Sequence, residues 1–579
     1  MERSEFEGIA HLHASVLVEE LRRDGVSLFC LSPGARILPV VRALAENAGV
    51  RVTLCNDERS AGFWAQGVGK GGGVACVCCT SGTAAANYLP AVIEARLSQT
   101  PLVVLTAERP IELLYAKANQ TIDQSSVFGS FPLLTLNIPA PESQLHLHSL
   151  LANIDQAVHI ARSQRGPVHL NVAYRKPFFG DHFSIDTLPA DEVTLFRSWR
   201  ESTEPHCRYP AVRGVVDVES MHEVAQLIDK AEAPLIVCGP VPVGAARDGI
   251  FALAQRLGAP LFADVHSGLR FGETTSNVVG GYNLFLERLE TLPDLVLLFG
   301  DRIISEPLRR YLDRATGSLV QVASFPYRQD AIENEFLYPA LRIVADPMAT
   351  AAMLATAVDQ RPEGLLLKQC RELEAAAASR VEALFDRSLQ EGSIVEPQAV
   401  RSIFRLAPEG SALFASASLP LREVEYFAET SSKDIAVGCN RGATGIDGIV
   451  SSALGFADAL NRPLSVIIGD QALLHDLTAL SLVRGARRPV WIFVLQNHGG
   501  AIFNLFPLGA LEPLMVNSHS YSFRDAAALF GIGYSKPDSL DDLVHEFRAA
   551  QQAGSSMLFE LVTDGKQTVE LFRQSEVLV

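Results

Sequence analysis

Apolar runs of four to eight residues recur along this chain, separated by stretches with helical periodicity, and that alternation constrains the fold more than any other feature. Ser27–Leu31, Val74–Thr80, Leu102–Thr106, Leu235–Cys238, Leu295–Phe299, Leu464–Ile468 and Trp491–Leu495 are such runs. Continuous rather than alternating apolar strands belong to parallel sheets covered by helices on both faces. The expected fold is therefore α/β, built of doubly wound, mainly parallel sheets. With 579 residues the chain is long enough for about three domains. A polar stretch at Arg200–His206 and a passage through Glu391-Gly392-Ser393, after an Ala/Glu-rich helix over Leu365–Leu389, mark the breaks. The domains are placed at 1–195, 210–360 and 390–579.

The first and third blocks share a plan. In the first, Cys79-Thr80-Ser81-Gly82 follows a strand, a helix is expected over Asn87–Arg96, and Pro101 opens the next strand. In the third, Gly469-Asp470 follows a strand, a helix is expected over Leu474–Val483, and Pro489 opens the next. Such units resemble one another in any α/β protein, so the chemistry of the loops has to decide what the repeat means.

Composition removes several function classes. A net charge of -17 without a run of Lys or Arg provides no footprint for nucleic acid. No apolar run reaches the ~20 residues of a membrane span, and the acidic N-terminal segment Met1–Glu7 does not read as a secretory signal. A cytoplasmic enzyme is the expectation. The nine cysteines are read as reduced thiols, with the CxxC at Cys76–Cys79 on a buried strand. Gly67-Val68-Gly69-Lys70-Gly71-Gly72 satisfies GxGxxG but follows a helix and precedes a strand, the reverse of the nucleotide-binding order, so it reads as a helix end. His11 and His13, like His146 and His148, lack a set of ligating partners and read as surface histidines. No GxSxG nucleophile elbow occurs.

Asp470 and Asn497 end neighbouring strands, where parallel α/β sheets open the crevice that binds ligands. A carboxylate and an amide oxygen side by side can hold Mg²⁺ with positions left for phosphate oxygens. The alternative is that Asp470 caps a helix and Asn497 lies in a Gly-rich turn. Likewise Asn56-Asp57-Glu58-Arg59-Ser60, before a helix, is by itself only favourable charge at a helix start.

Gly469-Asp470-Gln471 with Gln496-Asn497 resembles the signature of thiamine diphosphate enzymes. The resemblance implies Asp470, the side chain of Asn497 and the carbonyl of Gly499 as ligands of Mg²⁺ (or Mn²⁺). It also implies Glu58 as the buried carboxyl group facing the cofactor's pyrimidine. Gln471 and Gln496 depart from a usual Gly and Asn.

A longer set of strings narrows the family. Ser32-Pro33-Gly34-Ala35-Arg36, Asp57-Glu58-Arg59, Thr80–Asn87, Leu105–Pro110, Ala118-Asn119-Gln120, Asn440–Gly448 and Gly499–Phe503, in that order, resemble the 2-succinyl-5-enolpyruvyl-6-hydroxy-3-cyclohexene-1-carboxylate (SEPHCHC) synthase family, MenD, of menaquinone biosynthesis. That resemblance implies decarboxylation of 2-oxoglutarate and addition of the succinyl carbanion to isochorismate. The three domains become pyrimidine-binding, central and diphosphate-binding. Substrate contacts are implied for Ser32, Arg36, Arg109, Asn119, Gln120, Arg328, Arg422 and Arg441, because both substrates are dianions. Ser418 and Gln120 would contact the reacting group. Ser81, Gly82, Gly469, Ile446, Ile502 and Phe503 would hold the cofactor, Ile446 beneath its thiazolium ring. Ala35, Ala417 and Lys117 stand where the family usually has Ser, Asn and Gly. A homodimer or homotetramer with active sites between subunits is implied. Another thiamine diphosphate decarboxylase or acetolactate synthase-like carboligase, or a silent cofactor-binding relative, are the competing readings.

Overall fold

The computed structural model describes residues 5–142, 146–180, 182–210, 214–300, 302–324, 339–388 and 394–575. Three six-stranded sheets carry the fold, each wholly parallel in its pairing. The α/β expectation holds throughout, and each apolar run singled out from sequence lies on a strand within a residue or two.

The chain divides into two compact units, 1–212 with 440–461 and 475–487, and 213–439 with 462–474 and 488–579. The first unit holds the sheet Arg51–Leu54, Leu28–Ser32, Ala75–Cys79, Leu102–Glu108, Pro167–Ala173, Leu134–Ile138, in that spatial order. The second holds two sheets. One runs Val278–Val279, Leu261–Ala263, Pro234–Cys238, Leu295–Phe299, Ser318–Ala323, Leu341–Val344. The other runs Ile435–Cys439, Ser411–Ala415, Leu464–Gly469, Val490–Gln496, Met557–Val562, Gly533–Ser535.

Numbered by appearance within each sheet, the N-terminal and C-terminal sheets share the strand order 2-1-3-4-6-5, whereas the middle one has 3-2-1-4-5-6. The repeat suspected from two loops is thus a repeat of whole topology. In both outer sheets the order reverses between strands 1 and 3, and open parallel sheets bind ligands at that switch point, beyond the strands' carboxyl ends. Ser32–Arg36 and Thr80–Gly82 lie there in one sheet, Ser416–Ser418 and Gly469-Asp470 in the other.

Of the two expected repeat helices, the first, Asn87–Arg96, is found at Leu89–Leu97 with Pro90 in its first turn, after a separate short helix Thr83–Ala86. The second divides into Asp470–His475, Leu477–Ala479 and Leu480–Val483. There Asp476 turns its buried carboxylate onto the N–H and hydroxyl of Ser451, supplying the side-chain cap that Gly448 cannot give the helix Ile449–Leu460.

The GxGxxG string is the end of the helix Glu58–Lys70, as expected, and its glycines serve packing. A Cβ on Gly67 would lie 2.0 Å from the Ser452 carbonyl oxygen, and one on Gly455 would lie 1.9 Å from that of Trp64. Two helices, Glu58–Lys70 and Ile449–Leu460, therefore meet backbone to backbone in the first unit. Cys76, Cys78 and Cys79 are fully buried on their strand, as read from sequence. His146 and His148 are exposed, but His11 and His13 are 2% exposed, which corrects the surface reading. Their helix, Ile9–Arg23, is covered on nearly every side from Ala10 to Val18. His11 bonds Glu46 and the Glu7 N–H, while burial lowers the His13 pKa to about 4.

Candidate functional site

In the first unit, the motif residues assemble a set of donors. Arg36 lies on the single turn Ala35–Ile37 after the first strand, 6% exposed; its Nη1 donates to the Tyr174 carbonyl at 2.6 Å and its Nε has no partner among the described residues. Arg109 follows the fourth strand, 7% exposed, with Nε and Nη1 both without a partner among the described residues. Burial lowers both guanidinium pKa values, and the charge of Arg109 adds to the shift at Arg36. Glu108 stands beside them, its carboxyl raised by burial and pulled back by the Arg109 N–H that it accepts at 2.8 Å. Ser32 and Ser81 hydroxyls are buried without partners as well. Buried N–H and O–H groups are normally satisfied, so a concentration of idle donors at one set of strand ends marks a place where an acceptor-rich ligand belongs.

Gly82, at φ 87°, holds the next turn where Gln120 passes. A Cβ there would lie 3.1 Å from the Gln120 carbonyl oxygen. Gln124, which sequence reasoning missed, ties this loop down. It is buried, accepts the Gly82 N–H at 2.8 Å and donates to the Ala107 carbonyl. Asn119 and Gln120 themselves are exposed. The backbone at Lys117 has φ 52°, which explains why a Gly is the more natural residue there. Glu58 opens its helix, capped by Asp57, whose side chain accepts the N–H groups of Arg59 and Ser60. Glu58 is half-buried, not buried as expected, because the first residue of a helix stands at the rim of its sheet's end. The loop 441–448 joins this unit. Glu94, also missed from sequence, is buried and accepts the N–H groups of Gly442 and Ala443 at 2.9 and 2.7 Å, fixing the turn that bears Arg441 and Ile446. Arg441 is half-buried and Ile446 is exposed.

In the second unit the chemistry is inverted. Asp470 is buried at the end of its strand; its oxygens accept the N–H of Gln471 at 2.6 Å and of Gly499 at 2.9 Å, and His519 Nε2 lies 3.4 Å away. Burial raises its pKa to about 6, and the nearby charge of Glu396 adds to the rise. Just after the neighbouring strand Asn497 directs Nδ2 at the carboxylate of Glu396, 3.3 Å from Oε2, which leaves Oδ1 buried with no partner among the described residues. Gly499 has φ 151°, and a Cβ on it would strike the Val516 carbonyl. Its carbonyl accepts the Ala501 N–H at 3.0 Å and retains a second lone pair. Nothing lies within 4 Å of where a Cβ of Gly469 would be. An acidic oxygen, an idle amide oxygen and a carbonyl beside open space suit a hard dication carrying phosphate oxygens. The residues present therefore fit a metal–diphosphate group. Among the described residues no three His, Cys, Asp or Glu side chains cluster as metal ligands; two of these three donors are of other kinds.

Glu396 and Glu423 were not singled out from sequence. Both are buried, at 1% and 0% exposure. Glu396 accepts Thr563 Oγ1 at 2.7 Å and starts the helix Glu396–Leu406, where a negative charge is favoured. Neither oxygen of Glu423 has a hydrogen-bond partner among the described residues, and burial with the charge of Glu396 pushes its carboxyl well above the usual carboxylate range. Ser418, at φ 77°, begins the helix Leu419–Phe427, and Arg422 Nη1 donates to the Ser418 carbonyl at 2.8 Å. That helix is anchored by the buried pair Arg270–Glu425 at 2.6 Å. Ile502 and Phe503 form part of the turn Ala501–Leu505, half-buried. Gln471 Nε2 donates to the Asn517 carbonyl and Gln496 Nε2 to that of Tyr521, so these two departures stabilise neighbouring loops and leave the donor set intact. Arg328 lies outside the described residues. Of the non-glycine residues with positive φ, Gln120, Ser418, Thr444 and His498 all sit in the motif loops, where backbone strain tends to be kept for function.

Donors at one switch point, acceptors that would suit a cation at its topological counterpart and a carboxylate heading a helix are consistent with a thiamine diphosphate enzyme, the class to which the chain's similarities assign it. A family model described as "Thiamine pyrophosphate enzyme, N-terminal TPP binding domain" matches residues 13–127. The chain is 35% identical to the 2-succinyl-5-enolpyruvyl-6-hydroxy-3-cyclohexene-1-carboxylate synthase of Chlorobaculum tepidum, over 98% of this chain and 96% of that one. It is 36% identical to the synthase of the same name from Rubrobacter xylanophilus, over 97% of each chain. The chain belongs to the SEPHCHC synthase family.

Proposed function

We propose that this chain is a cytoplasmic SEPHCHC synthase. It decarboxylates 2-oxoglutarate, adds the succinyl unit to isochorismate and releases CO₂, a step of menaquinone or phylloquinone biosynthesis. Thiamine diphosphate and Mg²⁺ or Mn²⁺ are its cofactors. The observation that carries this reading over a pyruvate enzyme is the pair of buried arginines, Arg36 and Arg109, with three guanidinium nitrogens idle. A substrate with two carboxylates meets such a site; pyruvate, with one, would leave a buried cation unpaired.

When bound, thiamine diphosphate supplies a nucleophilic carbon and an electron sink for the loss of CO₂. The diphosphate-binding domain (390–579) would hold its metal through Asp470, Asn497 Oδ1 and the Gly499 carbonyl, with Gly469 leaving room for phosphate oxygens. The pyrimidine-binding domain (1–195) would contribute Ser81 and Gly82. Its Glu58 would hold and pass a proton at the pyrimidine ring nitrogen, a role that asks for a desolvated carboxyl group. A second subunit covering the half-buried Glu58 would provide that desolvation, in a homodimer or homotetramer with shared active sites. Ile446 would pack against the bound cofactor, and Ile502 and Phe503 would keep water from the site. Arg36, Arg109, Arg328, Arg422 and Arg441, with Ser32, Asn119, Gln120 and Ser418, would take the substrate carboxylates and hydroxyls. The region 210–360 forms the central domain.

The test supplies 2-oxoglutarate, isochorismate, thiamine diphosphate and Mg²⁺, and follows isochorismate consumption and product mass. The proposal expects one equivalent each of CO₂ and a product with the mass of SEPHCHC. Turnover of pyruvate alone would overturn it in favour of an acetolactate synthase-like carboligase, cofactor binding without turnover would leave a silent cofactor-binding relative, and no cofactor binding would end the enzyme reading.

A further inference from the structure

Asn497 is an uncharged ligand whose usefulness depends on which way its amide faces. With Nδ2 turned toward a metal, the residue would repel the ion; with Oδ1 turned toward it, the residue is a ligand. The orientation is settled by Glu396, toward which Nδ2 points. Glu396 in turn is held on its other side by Thr563 Oγ1 at 2.7 Å and Thr568 Oγ1 at 3.4 Å, from the end of the strand Met557–Val562 and from the helix Gly565–Ser575. Gly565 lets that helix approach closely, since a Cβ there would lie 2.6 Å from Ala501 Cβ and 3.5 Å from Asn497 Cβ. Three separate elements thus converge on one carboxylate, which also neighbours Glu423, and among the described residues the candidate metal ligand that it contacts is the Asn497 amide. An acid this deeply buried is an expensive way to pack a helix start. Beside a dication its charge is useful, because it orients the ligand and adds to the negative field.

We propose that Glu396 is a positioning residue for the cofactor metal: it fixes the Asn497 amide so that Oδ1 is the ligating atom. The geometry also explains why Asn rather than Asp stands at 497, since a carboxylate there would face Glu396 across 3.3 Å. This inference rests on the proposed metal site, and its test separates the two. Purified full-length protein is titrated with Mn²⁺ at fixed thiamine diphosphate, reading bound metal by electron paramagnetic resonance and cofactor by calorimetry. If the parent protein binds neither, the metal site itself is wrong. Given parent binding, Glu396→Ala weakens the metal by roughly 10–100-fold, with unchanged circular dichroism and recovery at higher metal concentration. Glu396→Gln, which still offers an oxygen to Nδ2, stays within about threefold of the parent, and the contrast excludes loss of folding as the cause. Affinity of Glu396→Ala within threefold of the parent, or equal losses in both variants, overturns the proposal. Should Glu396→Ala fail to fold, Asn497→Asp decides. The double variant Glu396→Gln/Asn497→Asp regains about tenfold affinity over Asn497→Asp alone, because the Gln amide can donate to the new carboxylate; no regain overturns the proposal.

Discussion

The N-terminal and C-terminal sheets have the same strand order and the same switch point, yet their strand ends carry opposite chemistry. The first presents idle donors: Arg36 Nε, Arg109 Nε and Nη1, and the Ser32 and Ser81 hydroxyls. At the corresponding ends the C-terminal sheet presents acceptors, with Asp470 where the first has Ser81, and Asn497 Oδ1 following the same fourth strand that Arg109 follows in the other. Topology therefore decides where chemistry is placed, and a few side chains at the strand ends decide its sign. A sheet that offers donors can bind carboxylates, while its counterpart needs a cation before it can bind phosphate.

The largest effect expected from breaking this contrast comes from the acceptor side. Asp470→Asn removes the one charged member of the proposed ligand set, and kcat/KM should fall by at least about 10³-fold, since a metal's electrostatic contribution amounts to several kcal/mol. Calorimetry should find cofactor binding that no longer responds to Mg²⁺. On the donor side, Arg109→Met deletes a charged hydrogen-bonding group of about 1.5–3 kcal/mol. That predicts a fall of roughly 10–100-fold in kcat/KM, with cofactor affinity unchanged. If the two variants lost cofactor binding equally, the division of labour between the sheets would be wrong.

A smaller effect concerns the paired helices Glu58–Lys70 and Ile449–Leu460. Gly67→Ala puts a methyl group against the Ser452 carbonyl, and urea unfolding should find a loss of about 1–3 kcal/mol. The mildest prediction is one of pH. The folded pKa of His13 is lowered to about 4 and that of His169 to about 3, both by burial. In the unfolded chain both titrate near 6.5. The unfolded state therefore binds the extra protons first, and the stability associated with neutral His13 is lost as pH falls from about 6.5 to about 4, by no more than about 1.4 kcal/mol per pH unit. Melting curves of His13→Gln and the parent should converge over that range; a constant gap would mean that His13 is already charged in the fold.

Much of the site was legible because its signal is local. Asp470 and Asn497 declare themselves by ending apolar runs, and the strings around Arg36, Glu58 and Arg109 each lie within a few residues of a strand end. What was illegible depends on distance in sequence. Glu396 meets Asn497 across 101 residues, and Glu94 meets Gly442 across 348. Taken alone, either glutamate is an ordinary helix residue that belongs at the surface. His11 and His13 were misread for a related reason. Their residue type favours the surface, and only packing from all sides of the helix Ile9–Arg23 reverses that. The helix expected over Asn87–Arg96 is found at Leu89–Leu97, whereas the one expected over Leu474–Val483 failed in its interior, where the turned-in Asp476 starts new segments. The shared strand order of the outer sheets could not be read at all, because spatial neighbours are not sequence neighbours.

The central claim is the proposal that the donor-lined strand ends of the N-terminal sheet take a dicarboxylate substrate and that the acceptor-lined ends of the C-terminal sheet hold the cofactor's metal. Competition between 2-oxoglutarate and pyruvate, with isochorismate, thiamine diphosphate and Mg²⁺ saturating, tests it most directly. The account predicts a kcat/KM ratio of roughly 10–100-fold in favour of 2-oxoglutarate, the value of one well-made charged contact, collapsing in Arg36→Met or Arg109→Met. Equal use of the two acids by the parent protein, or a preference that survives loss of both arginines, would contradict it.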